Sequence, residues 1–208
     1  MTLKETLLSL LVHDVRYPIQ SFYDLSKKLA YLTQKNDHER LFLLGKETEK
    51  KSRKVLWLID ELVYWVKSTN KNWELSLTER NLGELVSQIF DIYTDELNEK
   101  SLSFEIVNAD IWAKFDYGLL VIILRNLLFN AIVHSAPQSK IKVSIIESKK
   151  NYFLEIENQR NIENRILHNG LGMGLTLLLP LLEKAGIKLD KLESNDTFIA
   201  KLQLVNTT

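Results

Sequence analysis

The chain has 208 residues, enough for one large or two small domains. Lys+Arg number 27 and Asp+Glu 27, so no net basic charge draws the chain to nucleic acid. Cysteine is absent, which excludes disulfides and zinc-thiolate sites and fits a reducing compartment. The longest apolar runs, "LLVIIL" and "LTLLLPLL", fall far short of the roughly 20 residues that span a bilayer. The opening "MTLKETLLSLLVHD" has an early acidic residue and lacks the small-residue cleavage site of a signal peptide. The expectation is a soluble, cytoplasmic piece.

Residues 1–70 read as two long antiparallel helices. Leu8, Leu11, Val15, Pro18, Phe22, Leu25, Leu29 and Leu32 recur in alternating steps of three and four, a heptad seam. "QKNDHER" interrupts it. A second seam follows at Leu41, Leu44, Thr48, Lys51, Val55, Leu58, Leu62 and Trp65, weakened in the middle by Thr48 and Lys51. Two helices alone bury two apolar stripes poorly. The expectation is therefore a homodimer closing a four-helix bundle, with an intramolecular hairpin packed on the second half as the alternative.

From about residue 72 the period changes. A short strand precedes a helix over about 81–100, and "LSFEIVN" alternates as a strand. "FDYGLLVIILRNLLFNAIVHSA" reads as a strongly apolar helix. "KIKVSIIESKKNYFLEIEN" reads as a β-hairpin turning at "SKKN". "GMGLTLLLPLLEKAG" reads as a helix kinked at Pro180, and the chain closes with two strands. The fold class is α+β: a helical hairpin (1–70), then an α/β sandwich of one sheet under a helical layer (71–208).

Three clusters carry chemistry. If Leu8, Val15 and Phe22 are a positions, His13 falls at f, facing solvent. Asp14 follows it and can accept the Nδ1 proton, activating the other ring nitrogen. Arg16 lies three residues on, where it can meet a phosphoryl group, and Pro18 bends the helix just beyond. Asn126 and Asn130 share a helix face four residues apart; an amide oxygen can ligate Mg²⁺ and an amide NH₂ can meet phosphate, or the pair is structural. Gly170, Gly172 and Gly174 crowd the start of a helix, where backbone N–H groups can approach an anion.

In order along the chain, "HDVRYPI", "NLLFNA" and "GLGMGL" resemble the H box, N box and second glycine box of bacterial two-component sensor histidine kinases. The closing "TFIAKLQL" also follows the pattern of their ATPase domain. The resemblance implies a protein histidine kinase core, homodimeric, that uses ATP and Mg²⁺ and has a response regulator receiver domain as partner. It implies His13 as phospho-acceptor and Asp14 as its acid/base partner. It makes Asn130 the Mg²⁺ ligand, Asn126 and His134 nucleotide-site residues, and the three glycines the phosphate-side loop.

The sequence departs from the pattern at the first glycine box. Strand register puts Asn158 where the family has the aspartate that accepts the adenine amino hydrogen, and both following glycines are missing. Only 159–169 separate this point from Gly170, so the lid over ATP is short. Val133 stands where a phosphate-binding lysine is common, and Tyr17 where many relatives carry Thr or Asn. These changes predict weak ATP binding and reduced activity. The alternative is a degenerate kinase acting as a phosphotransfer or dimerisation module.

Overall fold

The structure is a computed structural model that describes residues 19–20, 22–70, 72–161, 173–194 and 196–205, with the backbone alone over 173–177. The chain divides into two compact units, Met1–Lys67 and Ser68–Thr208.

In the first unit, helix α1 (Leu25–Gln34) and helix α2 (His38–Thr69) flank a turn at Asn36, which takes a left-handed φ of 54°. Asparagine tolerates that region better than most residues. Asp37 caps α2, its Oδ1 accepting from the Arg40 N–H at 3.1 Å. The two polar positions of the second seam are satisfied within the helix. Thr48 Oγ1 donates to the Leu44 carbonyl at 2.7 Å, and Lys51 Nζ donates to Glu47 Oε1 at 2.5 Å. That hydrogen bond and the ammonium's charge hold the Glu47 carboxyl below its ordinary pKa.

The predicted seam is the covered side of α2: Leu58 and Trp65 are buried, and Leu41, Leu44, Val55 and Leu62 are half-buried. One position further round, a second apolar stripe lies open. Leu56, Ile59, Val63 and Val66 repeat the three-four-three spacing and are 61%, 44%, 43% and 53% exposed. The heptad reading assigned one stripe to this helix, whereas its C-terminal half carries two.

Among the described residues the second unit is one five-stranded sheet beneath a layer of four helices, with a two-stranded ribbon beside them. Strand β1 (Leu77–Asn81) leads into α3 (Leu82–Ile92) and α4 (Thr94–Glu99). The single helix expected over 81–100 is thus broken at Tyr93. Its buried hydroxyl donates to the Arg125 carbonyl at 3.2 Å, and its ring lies 5.5 Å from that of Phe129. Next come β2 (Ser103–Val107), β3 (Trp112–Asp116) and α5 (Tyr117–His134). Strand β3 was not expected. It pairs antiparallel with β1, and Asp116 at its end caps α5 by accepting from the Leu119 N–H at 3.0 Å.

Strands β4 (Lys140–Ser148) and β5 (Asn151–Gln159) form the expected hairpin, helix α6 (Met173–Lys184) runs on through Pro180, and β6 (Lys188–Glu193) and β7 (Thr197–Val205) close the chain. The order is β2-β4-β5-β7-β6, with β2 and β4 parallel and the other pairs antiparallel. The centre of one sheet face is apolar: Ile141, Val143, Ile145, Leu154, Ile156, Ala200 and Leu202 are all buried on it. Helix α5 packs against β5 and is buried on most of its surface. Among the described residues it is the one helix long and apolar enough to cross a membrane, but its apolar side chains form this core.

Gly83 shows how tightly α3 enters the core. A Cβ there would lie 2.1 Å from the Ala109 carbonyl oxygen, a backbone atom with little room to retreat. Gly83→Ala is expected to cost roughly 2–3 kcal/mol, or about 5–10 °C in melting temperature. Gly45, whose Cβ position is open, is the control. Equal melting of wild type and Gly83→Ala would show that the Ala109 segment yields freely.

Candidate functional site

The residues predicted to bind nucleotide are delivered by two elements. On α5, most positions are buried; Asn126, Phe129, Asn130, Val133 and His134 form a half-buried stripe along the helix. Spacings of three and four put them on one face. Asn126 Nδ2 donates to the Ile122 carbonyl at 3.0 Å, so part of that amide serves its own helix. The Asn130 side chain makes no hydrogen bond among the described residues. Val133 adds no charge to the stripe.

Lys100, at the end of α4, holds the last turn of α5. Its Nζ donates to the carbonyls of Ile132, at 2.9 Å, and Val133. A cation on these C-terminal carbonyls satisfies acceptors the helix cannot, and it complements the helix dipole. Burial lowers the Lys100 pKa. The sequence carries no local signal of this contact, since 32 residues separate the partners.

The second element is the end of β5. The Ala136 N–H donates to the Gln159 carbonyl at 2.9 Å, the Asn161 N–H to the His134 carbonyl at 2.9 Å, and Ser135 bridges Arg160 antiparallel. The C-terminus of α5, with His134, and the end of β5, with Asn158, are thereby joined. Asn158 is 1% exposed and sits on the apolar, helix-covered sheet face. Its Nδ2 donates to the Gln159 carbonyl at 3.4 Å, and its buried Oδ1 has no partner among the described residues. A buried, unmade acceptor costs about 1–3 kcal/mol. Such a group is a standing site for a donor from a ligand.

Gly174 lies in the first turn of α6 rather than ahead of it. His13, Asp14, Arg16, Tyr17, Pro18, Gly170 and Gly172 lie outside the described residues. Among the described residues, no group of three or more His, Asp or Glu could hold a metal ion. A Mg²⁺ ion here would depend on the Asn130 oxygen together with the oxygens of a bound phosphate chain, the usual way Mg²⁺ is held beside nucleotides. The uncommitted, half-buried Asn130 amide fits that role.

No protein-family profile matches the chain. Sensor histidine kinase FlgS of Helicobacter pylori is 25% identical over 184 residues, covering 80% of this chain and 46% of its own length. The chain thus spans less than half of that relative. Among solved structures, Acinetobacter baumannii histidine kinase AdeS superposes with a TM-score of 0.67 at 18% identity, covering 94% of this chain and 98% of that one. Histidine kinase ThkA in complex with the response regulator protein TrrA superposes at 0.54 and 18% identity, covering 94% and 66%. Fold and relatives point the same way: the chain is similar in sequence to sensor histidine kinases and has the fold of histidine kinases of known structure.

Proposed function

We propose that the chain is the kinase core of a two-component sensor, located in the cytoplasm, that phosphorylates its own His13 from Mg-ATP and passes the phosphoryl group to a response regulator aspartate. The observation that carries this reading is the orphan Asn158 Oδ1. It is a buried acceptor at the strand end where a histidine kinase holds adenine, and the adenine amino group is a donor that would satisfy it. Asn126, Asn130 and His134 line the adjoining helix face, and Gly170, Gly172 and Gly174 serve the phosphate side. The similarity to sensor histidine kinases favours a kinase over a module that has lost catalysis.

The chemistry asks mainly for positioning and charge neutralisation. Asp14 accepts the Nδ1 proton of His13. The other ring nitrogen attacks the γ-phosphorus, the bond from phosphorus to the bridging oxygen breaks, and ADP leaves with that oxygen. Arg16 neutralises charge on the transferred group. Mg²⁺, when bound, screens the phosphate oxygens. Residues 1–70 supply the acceptor helix and the dimer, and 71–208 the nucleotide site. Phosphate on His13 then suits the aspartate of a receiver domain, the kind of partner seen with ThkA.

Asn158 also sets base selectivity. Its Nδ2 is turned to the Gln159 carbonyl, so the amide offers the site an acceptor. Guanine presents a carbonyl where adenine presents an amino group. ATP should therefore displace a fluorescent nucleotide at least tenfold more effectively than GTP, a difference of about 1.4 kcal/mol. Equal potency of the two would sink the adenine assignment.

The dimer rests on the open stripe of α2. Leu56, Ile59, Val63 and Val66 form a contiguous exposed apolar face that a four-helix bundle would cover. Light scattering is expected to show a dimer at tens of micromolar (a working concentration well above the Kd of a specific interface). Ile59→Glu with Val63→Glu should turn it into a monomer. A wild-type monomer at that concentration contradicts the assignment.

A further inference from the structure

The nucleotide site as proposed lacks the lysine that often meets phosphate in such kinases, since Val133 stands in its place. The sheet supplies a cation from another direction. Across the ladder, Asn158 pairs with Phe198 of β7, and Phe198 pairs with Glu193 of β6. Paired residues share a sheet face, so Asn158, Phe198 and Glu193 all point to the side the helices cover.

Arg160 continues that face. Its N–H donates to the Asp196 carbonyl at 2.8 Å and it bridges Ser135, so the backbone stays extended past the end of β5. Two residues beyond Asn158, its side chain emerges on the same side, about 7 Å further along the strand. Its guanidinium pairs with the Glu193 carboxylate: Nη1 lies 2.9 Å from Oε2. Lys191, two residues before Glu193, occupies the same face opposite Ala200. Burial lowers its pKa and the Glu193 charge opposes that shift. Arg160 therefore stands beyond the orphan Asn158 oxygen, Glu193 level with it two strands away, and Lys191 level with Ile156.

We infer that Arg160 is the cation that meets the phosphate chain of a bound adenine nucleotide, and that Glu193 holds Arg160 until the nucleotide replaces it. The inference rests on the proposed reading of Asn158 as the adenine acceptor. An Arg fork accepts a phosphate with the geometry it offers a carboxylate, so the exchange swaps one anion for another. The Glu193 side chain is 54% exposed, and ion pairs in such a position contribute little, so water and the nucleotide both compete with it. Glu193 acts as a built-in competitor that lowers apparent affinity for anionic ligands.

The test is calorimetric titration of the full chain with ADP and with adenosine, for wild type, Arg160→Gln and Glu193→Gln. Both variants break the same ion pair, so a merely structural pair would make them behave alike. The inference predicts opposite signs: ADP about tenfold weaker in Arg160→Gln and several-fold tighter in Glu193→Gln, with adenosine unchanged in both. Arg160→Lys should recover part of the ADP loss and guards against a folding artefact. If Arg160→Gln leaves ADP binding intact, or weakens adenosine equally, Arg160 does not meet phosphate and the inference is overturned while the adenine site stands. If wild type binds neither ligand, the reading of Asn158 and the inference fall together.

Discussion

His13→Gln is expected to abolish incorporation of phosphate from ATP. Glutamine keeps a polar side chain of similar length but has no nitrogen nucleophile, so the reaction loses its acceptor rather than a contributor to the barrier. Labelling should fall to background, at least a hundredfold, while ADP binding and the dimer persist, because His13 belongs to neither the nucleotide site nor the seam positions. Phosphohistidine is acid-labile and alkali-stable, so gel autoradiography with an acid wash identifies the adduct. Persistent acid-labile label in His13→Gln would move the acceptor to His38, His134 or His168, the other three of the chain's 4 histidines.

Asn130→Asp carries the second large effect. The substitution keeps size and shape but places a fixed negative charge on the half-buried stripe of α5, beside the proposed triphosphate. A unit charge about 5 Å from another costs roughly 3 kcal/mol at an effective dielectric constant near 20. One to two orders of magnitude in Mg-ATP affinity should therefore disappear. Asn158→Ala removes a single neutral hydrogen bond worth about 1 kcal/mol, so its loss should be smaller, near fivefold. Calorimetry on both variants orders the two effects. Equal or reversed losses would remove Asn130 from the metal and phosphate side.

Much of the fold was legible because periodicity reports burial. The alternation of "KIKVSIIESKKNYFLEIEN" placed β4 and β5 to within a residue, since one face of each strand is fully covered. The heptad steps placed α1 and α2 on either side of the turn at Asn36. Strand β3 escaped because "WAKFD" is five residues long, abuts the apolar helix, and pairs with β1 some thirty residues earlier. The helix break at Tyr93 escaped because a buried hydroxyl bonded to Arg125 is a tertiary contact, invisible to local pattern.

The site divides the same way. Asn126 and Asn130 were singled out by their spacing, and Asn158 by strand register. Lys100 on the end of α5 and Glu193 against Arg160 are joined to their partners only by the fold, across 32 and 33 residues. Residues that act through long-range contacts leave no spacing to read.

Asn158, Asn130 and the glycines at 170, 172 and 174 are proposed to form together an adenine nucleotide site that feeds His13. Titration of the full wild-type chain with a non-hydrolysable Mg-ATP analogue and with Mg-ADP, followed by calorimetry, tests it most directly. One saturable site per chain is expected for both ligands. Affinity weaker than micromolar is expected for the triphosphate, because the short lid, the neutral Asn158 and the absent lysine each remove binding energy, with a smaller deficit for ADP, whose missing γ-phosphate leaves the lid less to cover. No heat of binding for either ligand up to the millimolar range would contradict the nucleotide site, and submicromolar binding of the triphosphate would contradict the short lid.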